Sequence, residues 1–506
     1  MGNNDWEFDD KERQWIDSFG VRYSEDKKIL LKCPNTLKGV FIIPKGIKLI
    51  QNNAFSGCFS LTTITIADSV TNIGVCAFWG CTSLREITIP NSITSIGDRA
   101  FEECSGLKSI NIPDSVTTIG KMAFKECSSL RRISIPNSVT TIGEGAFEYS
   151  SLWSITIPNT VASIEKNTFN CCSSLWSISI PESVKIIGNH AFSECKKLEK
   201  ITIPNSVTCI KHGAFWGCTS LREITIPASV TRIESCAFSG CSYLETINIP
   251  KSVTSIGNRA FEECSGLKTI MIPNTVTRIG IGVFYNCSRL MNITIPNTVI
   301  SIEKGAFYGC YNLRDIIIPD SVKTIEEKSF QGCPIREVLL PHDTKYAKDS
   351  FDIVTHVIKA RVFISYSWDS QEHKKWVEKL ANNLLKYDVH VTLDNKTLDF
   401  GDGLKEFMIE GISNAERVIC IMTPHYKKKA EACIGGVGVE YSIIKDEISR
   451  GDISKNKYIP LLRDGVKEES FTEEFKDSAY LDFRNDDDYD KKLEELINSI
   501  FKRRWR

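Results

Sequence analysis

The sequence predicts two structural units in one chain. A β-solenoid of 23-residue repeats comes first, and an α/β domain with a parallel sheet follows it. Three observations predict this. A phenylalanine recurs at a fixed interval through the first two thirds of the chain. A cysteine follows it three residues later in nearly every copy. After Pro341, strand-like and helix-like segments alternate. At 506 residues the chain is also too long for one ordinary core.

The repeat is plainest in IPNSITSIGDRAFEECSGLKSI (89–110) and IPKSVTSIGNRAFEECSGLKTI (249–270). Its phenylalanines fall at Phe55, Phe78, Phe101, Phe124, Phe147, Phe169, Phe192, Phe215, Phe238, Phe261, Phe284, Phe307 and Phe330. One residue is lost at FEYSSL (147–152). A period in the twenties with Leu and Ile at set offsets signals a leucine-rich-repeat solenoid. One repeat cannot bury its own apolar face, so stacked copies share a continuous core. LREITI (84–89) alternates apolar and polar and reads as a short strand. Pro90 ends its pairing, since proline has no N–H for a ladder. A second short extended piece, VTSIG-like, ends on a glycine expected to permit a turn. At about 4.8 Å per strand, thirteen repeats make an arc on the order of 60 Å long.

The 19 cysteines follow the same register. Twelve of them, Cys58, Cys81, Cys104, Cys127, Cys172, Cys195, Cys218, Cys241, Cys264, Cys287, Cys310 and Cys333, sit three residues after a repeat phenylalanine. Stacked side chains point the same way, which is poor disulfide geometry. They are expected to be a ladder of reduced, buried thiols, in keeping with a cytoplasmic protein. Zinc is not expected, because paired C-x-x-C sites are missing from the register.

This segment resembles the BspA-like leucine-rich repeats, over roughly residues 30 to 343. The resemblance implies a binding surface for a protein or other macromolecule. Glu86, Ser109, Arg132, Ser154, Ser177, Lys200, Glu223, Thr246, Thr269, Asn292 and Asp315 vary at one strand position, as partner recognition requires. Trp153 and Trp176 stand at equivalent places in adjacent repeats and form either an exposed aromatic pair or a packing contact. We expect an N-terminal cap over residues 1–30, repeats over 31–343, a junction over 344–358 and the second domain over 359–506.

In that domain RVFISYSWDS (361–370) reads as a strand and EHKKWVEKLANNLLKY (372–387) as a helix. HVTLD (390–394) is a strand, LKEFMIEGISNA (404–415) a helix and RVICIMTP (417–424) an apolar strand. A helix around Glu440, strands KYIPLL (457–462) and AYLDF (479–483), and the helix DYDKKLEELINSIFKR (488–503) complete it. Alternation of this kind gives a parallel sheet, with ligands beyond the carboxyl ends of the strands.

Four ordered motifs, FISYSWDSQEHKKWV, VTLDNKTLDFGDGL, RVICIMTPHYKKKA and GGVGVEYSII, make this region resemble a Toll/interleukin-1 receptor (TIR) domain of the bacterial-type or SEFIR-like branch. The resemblance implies a flavodoxin-like α/β fold and one of two functions. Some relatives are scaffolds that signal by self-association. Others hydrolyse NAD+ to nicotinamide and ADP-ribose, or a cyclic form, with one glutamate on the helix after the third strand. Glu440 holds that motif position. The implied pocket adds Tyr366, Ser367 and Trp368 at the end of the first strand. It also adds Phe400 in the loop 395–403, which borders the pocket and mediates assembly in relatives. Gly436 stands where some active relatives carry an aromatic.

The chemistry is reasonable for these residues. Nicotinamide leaves as a neutral molecule without a general acid, so one carboxylate suffices to hold the ribose and stabilise an oxocarbenium ion. Gly435, Gly436 and Gly438 would let a dinucleotide approach the backbone. A structural reading of Glu440 stands beside this one, because an acid in a helix's first turn is favoured by the macrodipole alone. Ser365, His390 and Asp394 lack the nucleophile elbow of a hydrolase. There is no P-loop.

The formal net charge of −1, from 62 basic and 63 acidic residues, gives no nucleic-acid footprint. The start MGNNDWEFDD is unlike a secretory signal, and no apolar run reaches membrane-spanning length. The expectation is a cytoplasmic sensor or effector that clusters through TIR–TIR contacts, with NAD+ as substrate and no cofactor or metal. A non-enzymatic adaptor is the alternative. A surface adhesin is a third reading, disfavoured by the missing signal and the thiol ladder.

Overall fold

The computed structural model describes residues 6–341, 343–393, 402–450 and 457–501. These fall into two compact units. One is Met1–Ile335 with Lys345–Ile353, and the other is Arg336–Thr344 with Val354–Arg506.

The first unit opens on an antiparallel meander, Glu7–Asp9, Gln14–Ile16, Arg22–Ser24 and Ile29–Lys32. Tyr23 lies buried beneath it and donates its hydroxyl to Asp17 Oδ2 at 2.8 Å. The last strand of the meander then pairs in parallel with Leu49–Ile50, the first short rung of the repeats. From there most turns add two short strands. One is a three-residue piece such as Ser109–Asn111, and the other a two-residue piece such as Thr118–Ile119. Ser109–Asn111 pairs in parallel with Arg132–Ser134 and Thr118–Ile119 with Thr141–Ile142, each 23 residues on. In the longer strands the central Ile is buried and its neighbours are exposed, the period-two pattern of a sheet with one dry face.

The phenylalanines form the spine of the core. From Phe55 to Phe330 successive rings stack with centroids 5.0–5.8 Å apart and planes within 20°. Burying each ring stabilises the stack by up to about 3 kcal/mol. Phe351 continues the spine, 5.0 Å from Phe330. The segment 344–358, expected to be a junction, thus carries structure of its own. Lys345–Tyr346 pairs with Thr324–Ile325, and in the second unit His356–Ile358 pairs with Glu337–Leu339.

The thiol ladder is present and has a bonding role. Eleven of these cysteines donate to the carbonyl of the phenylalanine 25 or 26 residues earlier, at 3.0–3.2 Å. Burial holds such thiols as Cys104 and Cys195 protonated, well above the ordinary thiol range. All the cysteines are free.

One backbone expectation needs correcting. The repeat glycine of the SIG segment is not the left-handed residue. Those residues lie two before and two after the phenylalanine, as in Arg99 (φ 57°) and Glu103 (φ 60°) around Phe101. Gly97 is small for a different reason: a Cβ there would come 2.7 Å from the Ile73 carbonyl oxygen of the preceding turn.

The second unit holds a five-stranded parallel sheet. Its strands are β1 (Ala360–Ser365), β2 (Val389–Leu393), β3 (Arg417–Met422), β4 (Tyr458–Leu462) and β5 (Leu481–Asp482), in the order β2-β1-β3-β4-β5. β3 and β4 are buried along their whole length, because helices cover both faces. Helix α1 (Gln371–Leu385) and the C-terminal helix Tyr489–Phe501 supply Val377, Leu380, Leu384, Leu493 and Leu496 to the core on one face. Helices α2 (Asp402–Asn414), α3 (Pro424–Glu431) and α4 (Gly435–Arg450) cover the other, with Ile412, Tyr426, Val437 and Ile444. The strand order reverses direction between β1 and β3, and this switch point is where such sheets open a crevice.

Candidate active site

The polar side chains of the second unit converge at the carboxyl ends of β1 and β3. Ser365 is the last residue of β1 and is fully buried. Thr423 follows β3 and caps α3, accepting the Tyr426 N–H at 3.0 Å. The sequence Thr-Pro explains that start, since Thr is a good N-cap and Pro fits the first helical turn. Tyr426 therefore turns inward, one helical turn from the cap, and is fully buried.

Glu440 meets these residues from α4. It is the sixth residue of that helix, in its second turn rather than its first. The helix-end field that would favour an acid in the first turn is therefore weaker there. Its carboxylate is only 1% exposed. Ser365 Oγ donates to Glu440 Oε2 at 2.5 Å and lies 2.9 Å from the Tyr426 hydroxyl. A hydroxyl has one proton to give, and Ser365 gives it to the carboxylate, so Tyr426 donates to Ser365. Donation thus runs from Tyr426 to Ser365 and from Ser365 to the Glu440 carboxylate. Burial raises Cys420 and Tyr426 far above their ordinary ranges, and the Glu440 charge adds to both. The cluster thus sets one acid among groups that stay protonated.

A second network adjoins it. Ser367 Oγ lies 3.2 Å from Thr423 Oγ1, which donates to Asp369 Oδ2 at 2.6 Å. The two networks meet at the Tyr426 backbone N–H.

The other expected site residues are placed as follows. Tyr366 is buried on the opposite face of the sheet, among Trp376 and Val377, with its ring 6.3 Å from that of His373. Trp368 is half-buried and packs against the same cluster, with Lys374 Nζ 4.8 Å from its ring centre. Strand parity explains this, since neighbours in an extended segment point to opposite sides. Ser367 is buried beside Thr423, as above. Gly436 is half-buried in the first turn of α4. The room at Gly438 is taken up by its own loop, for a Cβ would lie 2.3 Å from the Cys433 carbonyl carbon, whereas a Cβ at Gly435 would meet nothing. Phe400 and Asp394 lie outside the described residues. His390 is on β2 with its ring 6.1 Å from that of His356, and no triad with Ser365 forms among the described residues. Reading the sequence singled out neither Tyr426 nor the Ser365 contact. The Thr-Pro start of α3 was the one local signal that would have turned Tyr426 inward.

A family model described as the BspA type leucine rich repeat region matches residues 48–175, 162–291 and 278–360. The chain belongs to the BspA-type leucine-rich-repeat family. A TIR domain model matches residues 362–497. No curated protein matches the chain. Among solved structures, a leucine rich cell surface protein from Faecalibacterium prausnitzii is 29% identical, over 70% of this chain and 98% of its own, with a TM-score of 0.48. A leucine-rich repeat protein from Bacteroides ovatus is 28% identical, over 71% of this chain and 98% of its own, with a TM-score of 0.48. A prokaryotic SEFIR domain is 38% identical, over 28% of this chain and 100% of its own, with a TM-score of 0.25. This BspA-type protein thus joins its repeats to a C-terminal TIR domain, an organisation that indicates immune-type signalling. No helix among the described residues is long and apolar enough to cross a membrane.

Proposed function

We propose that the TIR domain hydrolyses NAD+ when copies of the chain are brought together, and that the repeats bind the macromolecule that does so. In the reaction the C1′–N bond of the nicotinamide riboside breaks and its electron pair leaves with neutral nicotinamide. Water, or a hydroxyl of the same molecule in the cyclising form, takes its place and loses a proton. Glu440 holds the ribose hydroxyls and stabilises the positive charge that develops on the sugar. The observation that carries this reading is the buried Glu440 carboxylate at the sheet's switch point, where it accepts a hydrogen bond from Ser365.

Glu440 is almost inaccessible in the single chain, so the ribose reaches it only after the crevice opens. We tie that opening to TIR–TIR contact. The same burial favours a second reading, a non-enzymatic adaptor in which Glu440 serves packing alone. Nicotinamide release from NAD+ separates the two. The purified chain, crosslinked through a fused oligomerisation tag, is expected to release nicotinamide, and Glu440→Gln to lower that release by about 100-fold or more with the fold retained. Release unchanged in Glu440→Gln removes the catalytic assignment.

A further inference from the structure

The sheet face of the repeats is not uniform. Just before each three-residue strand one exposed side chain stands per turn: Arg85, Lys108, Arg131, Trp153 and Trp176. Backbone bonds hold this row together, with Arg131 N donating to Lys108 O at 3.3 Å, Trp153 N to Arg131 O at 3.1 Å and Trp176 N to Trp153 O at 3.0 Å. Arg132 adds a fourth cation in the adjoining row. Among the described residues none of these four cations forms an ion pair. Arg131 and Arg132 instead lie 5.1 and 5.9 Å from the Trp153 ring centre. Further along, the same rows neutralise themselves: Lys200 faces Glu223 at 3.5 Å and Lys268 faces Glu245 at 2.8 Å. The acids within the patch rows are Glu86 and, at the far end, Glu199.

The two tryptophans are 39% and 58% exposed. Three positions further along each turn runs a row of exposed short polar groups: Thr88, Asn111, Ser134, Thr156 and Ser179 follow the buried Ile of each strand.

We propose that this strip binds an acidic polysaccharide, a chain of sugar rings bearing carboxylates. Unpaired arginines and a lysine attract carboxylates. Exposed indole faces stack on the C–H faces of sugar rings while leaving their edges wet. The hydroxyl and amide row offers donors and acceptors to sugar hydroxyls. From Arg85 to Trp176 there are four strand steps, about 19 Å, enough for a short run of sugars. A protein partner fits less well, because Ser and Thr are depleted from interface hot spots and would form most of this row. Single-stranded nucleic acid also fits less well. Its phosphates and bases alternate along the track, whereas here the cations occupy one end and the rings the other. The inference does not depend on the chemistry proposed for Glu440.

The test is binding of the full chain to polygalacturonate, read by calorimetry, with neutral dextran, poly-L-glutamate and oligo-dT as competing probes. Polygalacturonate is expected to bind and the other three to bind at least about tenfold more weakly. Trp176→Ala and the double variant Arg131→Ala/Arg132→Ala should each weaken it about tenfold, equivalent to about 1.4 kcal/mol. Lys268→Ala, on the same face but in a self-neutralised row, should leave binding unchanged. Trp176, Arg131 and Arg132 are exposed and Lys268 is half-buried, and circular dichroism checks that each variant folds. The proposal is overturned if polygalacturonate fails to bind, if Trp176→Ala binds it as the parent does, if Lys268→Ala weakens it equally, or if poly-L-glutamate or oligo-dT binds more tightly.

Discussion

The two units bury polar atoms in opposite ways. In the solenoid the buried donor is a thiol, neutral, and repeated turn after turn on a phenylalanine carbonyl. In the TIR domain the Glu440 carboxylate is an acceptor, bonded by Ser365, whose hydroxyl also meets that of Tyr426 from another element. Repetition marks a structural solution, because every turn poses the same packing problem and reaches the same answer. A buried acid costs desolvation that an apolar residue in its place would not. That cost, and its place at the switch point of the sheet, are the reasons we assign chemistry to Glu440, while repetition assigns architecture to the cysteines.

Substitutions sharpen this contrast in order of expected effect. Phe215→Ala removes one fully buried ring from the middle of the spine and should cost about 3–5 kcal/mol. In a solenoid the loss should be local, so hydrogen exchange should quicken in the flanking repeats and leave the TIR domain untouched. Ser365→Ala takes away the donor to a buried carboxylate. It should cost about 1–3 kcal/mol in denaturant unfolding of the TIR domain and lower nicotinamide release as well. Cys218→Ala deletes one thiol and its bond to Phe192 O, for about 1 kcal/mol, with no effect on release.

Two smaller changes test the solenoid's imperfections. Glu102 is buried, with Arg99 and Lys125 each 3.7 Å away. Burial raises its pKa, only partly offset by those cations. A carboxyl raised on folding favours the folded state below the ordinary glutamate range and loses that benefit as pH rises through its folded value. Glu102→Gln should therefore match the parent in acid and exceed its melting temperature at neutral pH. Glu103 is left-handed at φ 60°, so Glu103→Gly should raise stability by up to about 1 kcal/mol. Loss of stability there would show that its side chain matters more than its backbone.

Much of the solenoid was legible because its signal is additive: a phenylalanine, a cysteine and a leucine at fixed offsets repeat until chance is excluded. What stayed hidden were features that repetition does not spell in one residue type. The left-handed positions hold Arg99, Glu103, Met122 and Tyr149 as readily as Gly80 or Gly217, so no glycine pattern announces them. The thiol bond to phenylalanine is a property of the stacked turns, invisible within one copy. In the TIR domain the motif around Glu440 was readable, but its partners were not. Ser365 lies 75 residues before it, and the hydroxyl it shares with Tyr426 bridges 61. Tyr366 and Trp368 were grouped with Ser367 by their nearness in sequence, and strand parity sends both aromatics to the other face.

The most direct measurement is nicotinamide release from NAD+ by the full chain under forced clustering, parent against Glu440→Gln, with melting curves of both. Turnover in the clustered parent, little or none in the dispersed parent, and loss of about two orders of magnitude in the variant at an equal melting temperature are the predicted results. Equal turnover in parent and variant, or none in the clustered parent, would contradict the account and leave the TIR domain as a docking platform.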